Sequence, residues 1–244
     1  MSVKIEPILE ALSQHLHSLE AVGQCFQALK SSLGDAITKK TFSQLGGIRM
    51  LLQAMVAHIA VSEIQEQGCE ILASFCSDEG SEDLVVRDQG IPVVIHTMQR
   101  NALAATVQEK ALAALWNMSY AEEHKKLILQ CGGAAAIVKA MTDHLEVATV
   151  QEKALGPLRN LCEAYDLAAT RAVIEAGAVE AVARSVGKYP LNTAMNGSAT
   201  WLWWRFVNVD SSRTDQNGGG DPALKLMGKP FYRTPPHVLP RCQV

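Results

Sequence analysis

Three kinds of chemically capable side chain recur along the sequence. Glutamine–glutamate pairs stand at residues 65–66, 108–109 and 151–152, with a step of 43 residues. Histidines stand at positions 15, 58 and 144, and the chain has six cysteines. Carboxylates can act as general acids or bases, whereas imidazoles and thiols can ligate metals. Acid–base catalysis and metal binding are therefore the first chemistries to weigh.

Neither chemistry is favoured by the way these residues are arranged. A catalytic site needs a nucleophile, an acid–base pair or a cofactor loop, and the sequence holds no GxGxxG, Walker, GxSxG or HExxH motif. The glutamine–glutamate pairs fall at predicted helix starts, where capping explains them better. Histidines on successive helices would lie about 10 Å apart, so they predict helix capping and not a shared ion. We expect a non-enzymatic protein with no cofactor and no metal.

Composition narrows the class of partner. The 22 basic and 25 acidic residues leave a net charge of −3, and no basic block predicts nucleic-acid binding. No apolar run approaches the roughly 20 residues that span a bilayer, so membrane insertion is not expected. Cysteines without CxxC or metal spacing indicate buried thiols in a reducing compartment. These features predict a cytoplasmic protein, with the nucleus and the cytoskeleton left open.

The 43-residue step extends beyond the chemically capable residues and indicates a helical solenoid. In the unit 121–163, a charged helical segment ends at Gly132-Gly133, where glycine can adopt the left-handed backbone of a helix C-terminus. An apolar second helix follows. The segment Thr149-Val-Gln-Glu152 then predicts a capping box that opens a third helix, as does Thr106-Val-Gln-Glu109.

This unit resembles the armadillo repeat. The resemblance is carried by the glycine between the first two helices, the apolar second helix, and a third helix ending in AALWNMS (113–119) or GPLRNLC (156–162). HEAT repeats are the nearest competitor, but they normally use two helices per unit. The resemblance implies an all-α fold, a right-handed armadillo-type solenoid of about five three-helix repeats with incomplete terminal ones.

The predicted array covers residues 1–206, and three irregularities interrupt it. Pro157 lies inside a third helix and predicts a kink or a late helix start. The 44-residue distance from Gly133 to Gly177 predicts one inserted residue. The segment 207–244 is rich in proline and glycine and predicts a disordered or loosely docked tail. A peptide motif within that tail, or an aberrant terminus, are the alternatives. The predicted units lie near 1–33, 34–77, 78–120, 121–163 and 164–206.

The resemblance also implies where a partner would bind. Armadillo third helices line a concave groove, and an Asn near each helix end can hydrogen-bond the backbone of an extended peptide. Importin-alpha arrays carry a Trp four residues before that Asn, but here those positions are Ala113 and Gly156. The groove is therefore expected to be catenin-like, with mixed charge from several glutamates. The candidate groove residues are Asn117, Asn160, Trp116, Tyr120, Arg159, Ser74 and Glu163.

Two functions remain open. The first is a non-catalytic scaffold or adaptor that binds an extended peptide or a partner helix in this groove, with Trp116 offering contact area, unless it only packs against a neighbouring helix. The second is a structural segment of a larger assembly. Solenoid ends need polar caps, and an aromatic cluster near the far end could self-associate. That cluster comprises Trp201, Trp203, Trp204 and Phe206.

Overall fold

The computed structural model describes residues 5–163 and 167–217, with side chains described as far as residue 209. Within these ranges every regular element is an α-helix, and fourteen helices are present without a strand. The chain forms two compact units, one ending at Met118 and the other beginning at Ser119. The all-α fold class expected from the sequence is confirmed.

The first unit packs its helices on their chain neighbours, and the third-type helices also pack on each other, α2 against α5 and α5 against α8. This is the arrangement of an α-solenoid. Its helices are α1 Ile5–Gln14, α2 Leu19–Ser32, α3 Ala36–Gln44, α4 Gly47–Ala57, α5 Ser62–Phe75, α6 Ser81–Arg87, α7 Gly90–Arg100 and α8 Ala105–Met118.

The second unit repeats the short–medium–long order twice, and its long helices α11 and α14 pack together. No helix in the described ranges is long and apolar enough to cross a membrane. The helices are α9 Glu122–Gln130, α10 Gly133–Asp143, α11 Ala148–Glu163, α12 Leu167–Glu175, α13 Ala178–Lys188 and α14 Thr193–Asn217.

Two adjacent positions shape each turn before a second helix. The first supplies the left-handed backbone, and the second is glycine in three of the four turns but Ala178 in the last. Gly46, Gln89, Gly132 and Gly177 have φ between 73° and 90°, which glycine tolerates best. The next residue begins the second helix. At Gly90, a Cβ atom would lie 2.3 Å from Cγ1 of Val85. The repeated glycines therefore serve two separate purposes.

The last repeat is displaced by two residues and not by the one expected. Helices α12, α13 and α14 each begin 45 residues after α9, α10 and α11. The extra length coincides with α11, which has 16 residues where α5 and α8 have 14. Gly177 is thus equivalent to Gly132, and Arg205 is equivalent to Asn160. The one-residue estimate was wrong because it aligned Gly177 with Gly133.

The glutamines of the repeated pairs tie a third helix to the end of the second helix before it. Nε2 of Gln108 donates to the carbonyl oxygens of Met98 and Asn101, both at 3.0 Å. Gln65 and Gln151 make the same pair of bonds, ten and seven residues back. These carbonyls at a helix C-terminus have no partner within the helix. The buried glutamine supplies one.

The predicted capping boxes do not form. Helices α8 and α11 begin at Ala105 and Ala148, so Thr106 and Thr149 lie inside the first turn and not at the N-cap. Backbone bonds start earlier too, since the amide of Gln108 donates to the oxygen of Ala104. The prediction failed because a Thr-x-x-Glu pattern does not by itself identify the N-cap, the last residue with a non-helical backbone before the helix.

A second set of side chains joins neighbouring repeats at the ends of the second helices. His58 follows α4, and its Nε2 lies 2.9 Å from the oxygen of Leu16. Asn101, at the equivalent place after α7, donates to the oxygen of Ile59. In the other unit, the hydroxyl of Tyr189 donates to the oxygen of Leu145. The histidine of this set therefore stabilises a turn.

Two further expectations fall on the C-terminal third of the chain. Helix α11 begins at its periodic position and contains Pro157, so the late helix start does not occur. Helix α14 continues to Asn217, past the predicted end of the array at residue 206. Residues 218–244 lie outside the described residues, and the prediction of a tail there stays a prediction.

Candidate binding face on the third helices

A row of charged side chains crosses the third-type helices of the first unit. Lys30 on α2 and Lys110 on α8 both pair with Glu70 on α5, the latter at 3.5 Å. Partial burial raises the pKa of the Glu70 carboxyl, but the two lysines lower it more, so the net shift is downward. The face therefore carries both signs of charge, as the sequence predicts.

Asn117 is buried in the first unit and already bonded there. Its Nδ2 donates to the oxygen of Ala73 on α5 at 2.9 Å, and the side chain has no exposed surface. One residue earlier, Trp116 is half-buried. Ser74 is also half-buried, and its backbone oxygen accepts from Nζ of Lys39 at 2.7 Å. Of these candidates, Trp116 has the large side chain that remains accessible.

Asn160 occupies the same position in the second unit and is bonded in a similar way. Its Nδ2 donates to Oγ of Ser119 at 2.9 Å, and 5% of the residue is exposed. Like Asn117, it links the end of its own helix to the segment one repeat earlier. Both asparagines therefore stabilise repeat packing, and a bound peptide would have to take over part of their hydrogen bonding.

Arg159, Glu163 and Trp201 come together on α11 and α14. The guanidinium carbon of Arg159 lies 5.1 Å from the ring centroid of Trp201, within cation–π range. Nε of Arg159 lies 3.4 Å from Oε1 of Glu163. Burial lowers the pKa of the Arg159 guanidinium, while Glu163 and Tyr120 oppose that shift. Arg159 remains charged in this setting because its ordinary pKa is far above neutrality.

Arg205 is a site residue that the sequence analysis missed. With the two-residue displacement it stands at the asparagine position of the last repeat, and its Nε donates to the oxygen of Cys162 at 2.7 Å. Like the bond from Asn117 to Ala73, it joins one third helix to the third helix before it, but its acceptor lies three residues beyond the position equivalent to Ala73. The 45-residue spacing would have revealed Arg205, but only a correct alignment of Gly177 with Gly132 shows that spacing.

The position before this hydrogen-bonding residue carries a large planar side chain in three repeats. It is Trp116 on α8, Arg159 on α11 and Trp204 on α14. Trp116 and Trp204 are half-buried, whereas Arg159 is 3% exposed. Trp and Arg are the residue types enriched at binding hot spots. The recurrence of Trp or Arg at this one position, called here the Trp116 register, is the main chemical feature of the candidate binding face.

The aromatic cluster in the middle of α14 is mostly packed inside the second unit. Trp201 is 5% exposed and Phe206 is fully buried. The ring of Trp203 meets that of Phe206 edge-on, with centroids 5.9 Å apart. Trp203 and Trp204 stay half-buried. A self-association surface in this cluster would therefore depend on Trp203 and Trp204.

Metal ligation and thiol chemistry find no support among the described residues. No group of three His, Cys, Asp or Glu side chains there could hold an ion. Burial raises the pKa of the Cys69 and Cys162 thiols to about 12. Since the thiolate is the reactive form, these two cysteines are expected to be inert.

Comparison with known proteins supports the fold. No protein-family model matches the chain. No curated protein matches it either. The crystal structure of an engineered protein from the Northeast Structural Genomics Consortium is similar, with a TM-score of 0.69 and 20% identity, over 91% of this chain and 92% of that chain. At this identity the likeness shows the fold alone.

A second solved structure is more distant. It comes from a study of a conserved phosphorylation switch that controls the interaction between cadherin and beta-catenin. Its TM-score is 0.45 at 18% identity, over 83% of this chain and 47% of that chain. A likeness of this strength carries no argument, so the binding chemistry of the chain rests on its own residues.

Proposed function

We propose that the protein is a non-catalytic, armadillo-type scaffold that binds an extended peptide or a partner helix along its third helices. The observation that carries the proposal is the register of Trp116, Arg159 and Trp204 beside the hydrogen-bonding position of successive third helices. Trp116 in the first unit and Trp204 in the second are half-buried, and tryptophan supplies large contact area at low entropic cost. The absence of a catalytic motif in the sequence agrees with this role.

The side chains suggest a ligand of mixed character. Trp116 and Tyr120 offer half-buried aromatic surface, and Glu163 and Glu70 offer carboxylates beside cations. A partner peptide would place apolar residues on the aromatic side chains and both acidic and basic residues around them. A purely acidic ligand is not expected, because Glu66, Glu109 and Glu152 stand at equivalent positions on three third helices.

The role of the asparagines in this proposal is narrower than the resemblance implies. Asn117 and Asn160 already donate within their own units. Removing either leaves a buried oxygen without its donor, which costs about 1–3 kcal/mol. The Asn117→Ala and Asn160→Ala pair would therefore weaken folding as well as any peptide contact. A clean test of binding has to use the aromatic positions.

The test compares proximity labelling by the wild-type chain with labelling by Trp116→Ala. Loss of a defined set of partners from the variant is the expected result. Leu103→Ala is the matched control, because Leu103 is an apolar side chain that is 90% exposed at a loop and off this face. Circular dichroism checks that both variants fold. An unchanged partner set with Trp116→Ala would refute binding through this face.

The alternative is that the chain associates with other copies through the C-terminal aromatic cluster. The supporting observation is that Trp203 and Trp204 remain half-buried on α14, the third helix of the last repeat. If that holds, Trp203→Ser should convert a self-associating protein into a monomer, measured by light scattering after size exclusion. Because Trp203 is outside the Trp116 register, the same substitution should leave partner labelling unchanged under the scaffold hypothesis.

A further inference from the structure

We infer that a groove between the second helices α4 and α7 binds an acidic amphipathic segment of a partner protein. This surface is separate from the third-helix face, and it lies wholly within the first unit. The cavity has a volume of about 460 Å³, which falls within the roughly 300–1,000 Å³ of typical binding pockets. Its apolar lining comes from Leu16, Leu52, Val56, Ala57 and Val93.

The groove is open to solvent on its outer side. Val56 is 49% exposed, and Ala57 beside it is also exposed. Leu16 and Val93 are half-buried. Single exposed apolar side chains are ordinary on a protein surface, but a concave cluster of them indicates an interaction site.

The repeats provide an internal comparison that singles out this groove. The two exposed positions held by Val56 and Ala57 occur at the end of each second-type helix. In the other repeats they are polar, charged or glycine, although they are equally exposed to solvent. The equivalent pairs are Ser13-Gln14, Gln99-Arg100, Thr142-Asp143 and Gly187-Lys188.

This contrast argues against a structural explanation for the apolar pair. If helix packing required apolar residues there, the other repeats would need them too, since each has a second-type helix at the equivalent place in the sequence. Solubility favours polar residues at such exposed sites. Apolar side chains at these positions in one repeat alone are therefore best explained by a partner that covers this groove and not the equivalent surface of other repeats.

Charge at the rim indicates the chemistry of the partner. Nη2 of Arg49 and Nε of Arg87 both lie 3.6 Å from Oδ1 of Asp88. The Asp88 side chain is 7% exposed, whereas those of Arg49 and Arg87 are 71% and 65% exposed. Arg87 lies outside the groove lining, and Asp83 stands four residues before it on α6 as an opposing charge. Within the lining, Arg49 is the exposed charged side chain, and the Asp88 side chain is buried. Arg49 therefore presents positive charge at the rim, which complements glutamate or aspartate on the partner.

The walls of the groove are held in place by hydrogen bonds between repeats. His58 contacts the oxygen of Leu16, which is one wall. Asn101, at the end of α7, donates to the oxygen of Ile59, just beyond α4. Gln65 fixes the end of α4 through the oxygens of Met55 and His58. A preformed apolar groove loses little conformational entropy when it binds a ligand.

The experiment titrates the isotope-labelled full chain with two short helical peptides and follows amide chemical shifts by NMR. Both probes carry the same leucine stripe, but one is flanked by glutamate and the other by lysine. We expect the glutamate peptide to bind, with saturating shifts at Leu52, Val56 and Val93, and to weaken as salt rises. The lysine peptide should bind at least about tenfold more weakly.

Two variants and one control test the groove itself. Val56→Gln installs the residue type of the equivalent Gln99 and should weaken the glutamate peptide about tenfold, as expected for losing one buried aliphatic contact. Arg49→Glu should reverse the preference between the two peptides. Thr142→Gln, at the equivalent exposed position of another repeat, should change nothing. Since the altered side chains are exposed, all three variants should fold.

Four results would overturn the proposal. The peptides could bind equally, the shifts could map away from α4 and α7, or Val56→Gln could leave the affinity unchanged. A concentration-dependent dimer that Val56→Gln dissociates would make a second copy of the chain the occupant, and would also refute an acidic partner. None of these outcomes depends on Trp116, so failure here is distinguishable from failure of the third-helix proposal.

Discussion

Replacing Gln108 with methionine should weaken the protein without changing its shape. Gln108 is 2% exposed, and its Nε2 donates to the oxygens of Met98 and Asn101 at the end of α7. Methionine has nearly the same length and volume, so it fills the same space. The substitution removes the hydrogen bonds and leaves the packing.

The magnitude follows from the bonds lost. Two buried hydrogen bonds contribute about 1 kcal/mol each on average. The oxygen of Asn101 keeps a bond from the amide of Ala104 at 3.0 Å, which limits the additional cost of leaving that oxygen buried. We therefore expect a loss of about 2 kcal/mol in the free energy of unfolding. Against a total stability of about 5–15 kcal/mol, urea denaturation should resolve this loss clearly.

The assay is urea unfolding followed by circular dichroism. Gln99→Met is the control, because Gln99 is exposed on α7, the helix whose end Gln108 contacts. The control should change stability by less than about 0.5 kcal/mol. Thr106→Ala tests the alternative role of the motif: loss of an N-cap would cost about 1 kcal/mol, whereas inside an exposed first turn alanine should gain a few tenths. Equal effects of Gln108→Met and Gln99→Met would refute the reasoning.

Three further predictions follow from the packing and charge of the chain. Gly90→Ala should lower the free energy of unfolding by about 1–3 kcal/mol, because the new Cβ would lie 2.3 Å from Val85, while Gly187→Ala, with nothing within 4 Å of its Cβ, should be neutral or stabilising in thermal melts. Cys69, with a pKa raised to about 12 by burial, should resist a thiol reagent at pH 8 in the folded protein and react once urea unfolds it; prompt reaction in the native state would contradict this. The Glu70 carboxyl has a lowered pKa in the folded state, so its ion pairs should stabilise the fold at pH values above the ordinary glutamate pKa of 4.5. That effect should be lost as pH falls through the folded-state pKa. The stability difference between wild type and Glu70→Gln should therefore shrink from pH 7 to pH 3, and a constant difference would contradict it.

The repeat period and the helical pattern of apolar residues determined most of the fold. Second helices begin at Gly47, Gly90 and Gly133, as the 43-residue step predicts. These signals are local: 3.6-residue periodicity marks the buried side of a helix, and glycine marks the turn between helices. Local signals can be read from the sequence because each depends on residues only a few positions apart.

The meaning of the repeated glutamines could not be read in this way. Gln108 bonds to carbonyl oxygens ten and seven residues earlier, across a turn. Whether those oxygens lie within reach depends on the angle between two helices, which is a property of packing. The displacement of the last repeat was also underestimated, because the extra length falls near the end of α11 and carries no marker of its own.

The candidate face shows the same division between sequence and tertiary structure. The spacing alone placed Trp116, Asn117, Arg159 and Asn160 at matching positions of third helices. Only the tertiary structure decided that both asparagines are buried and bonded to the repeat before them, because burial depends on which helices pack side by side. The sequence by itself thus determined which residues share a face, and three-dimensional packing decided which of them stabilise the fold and which remain accessible to a partner.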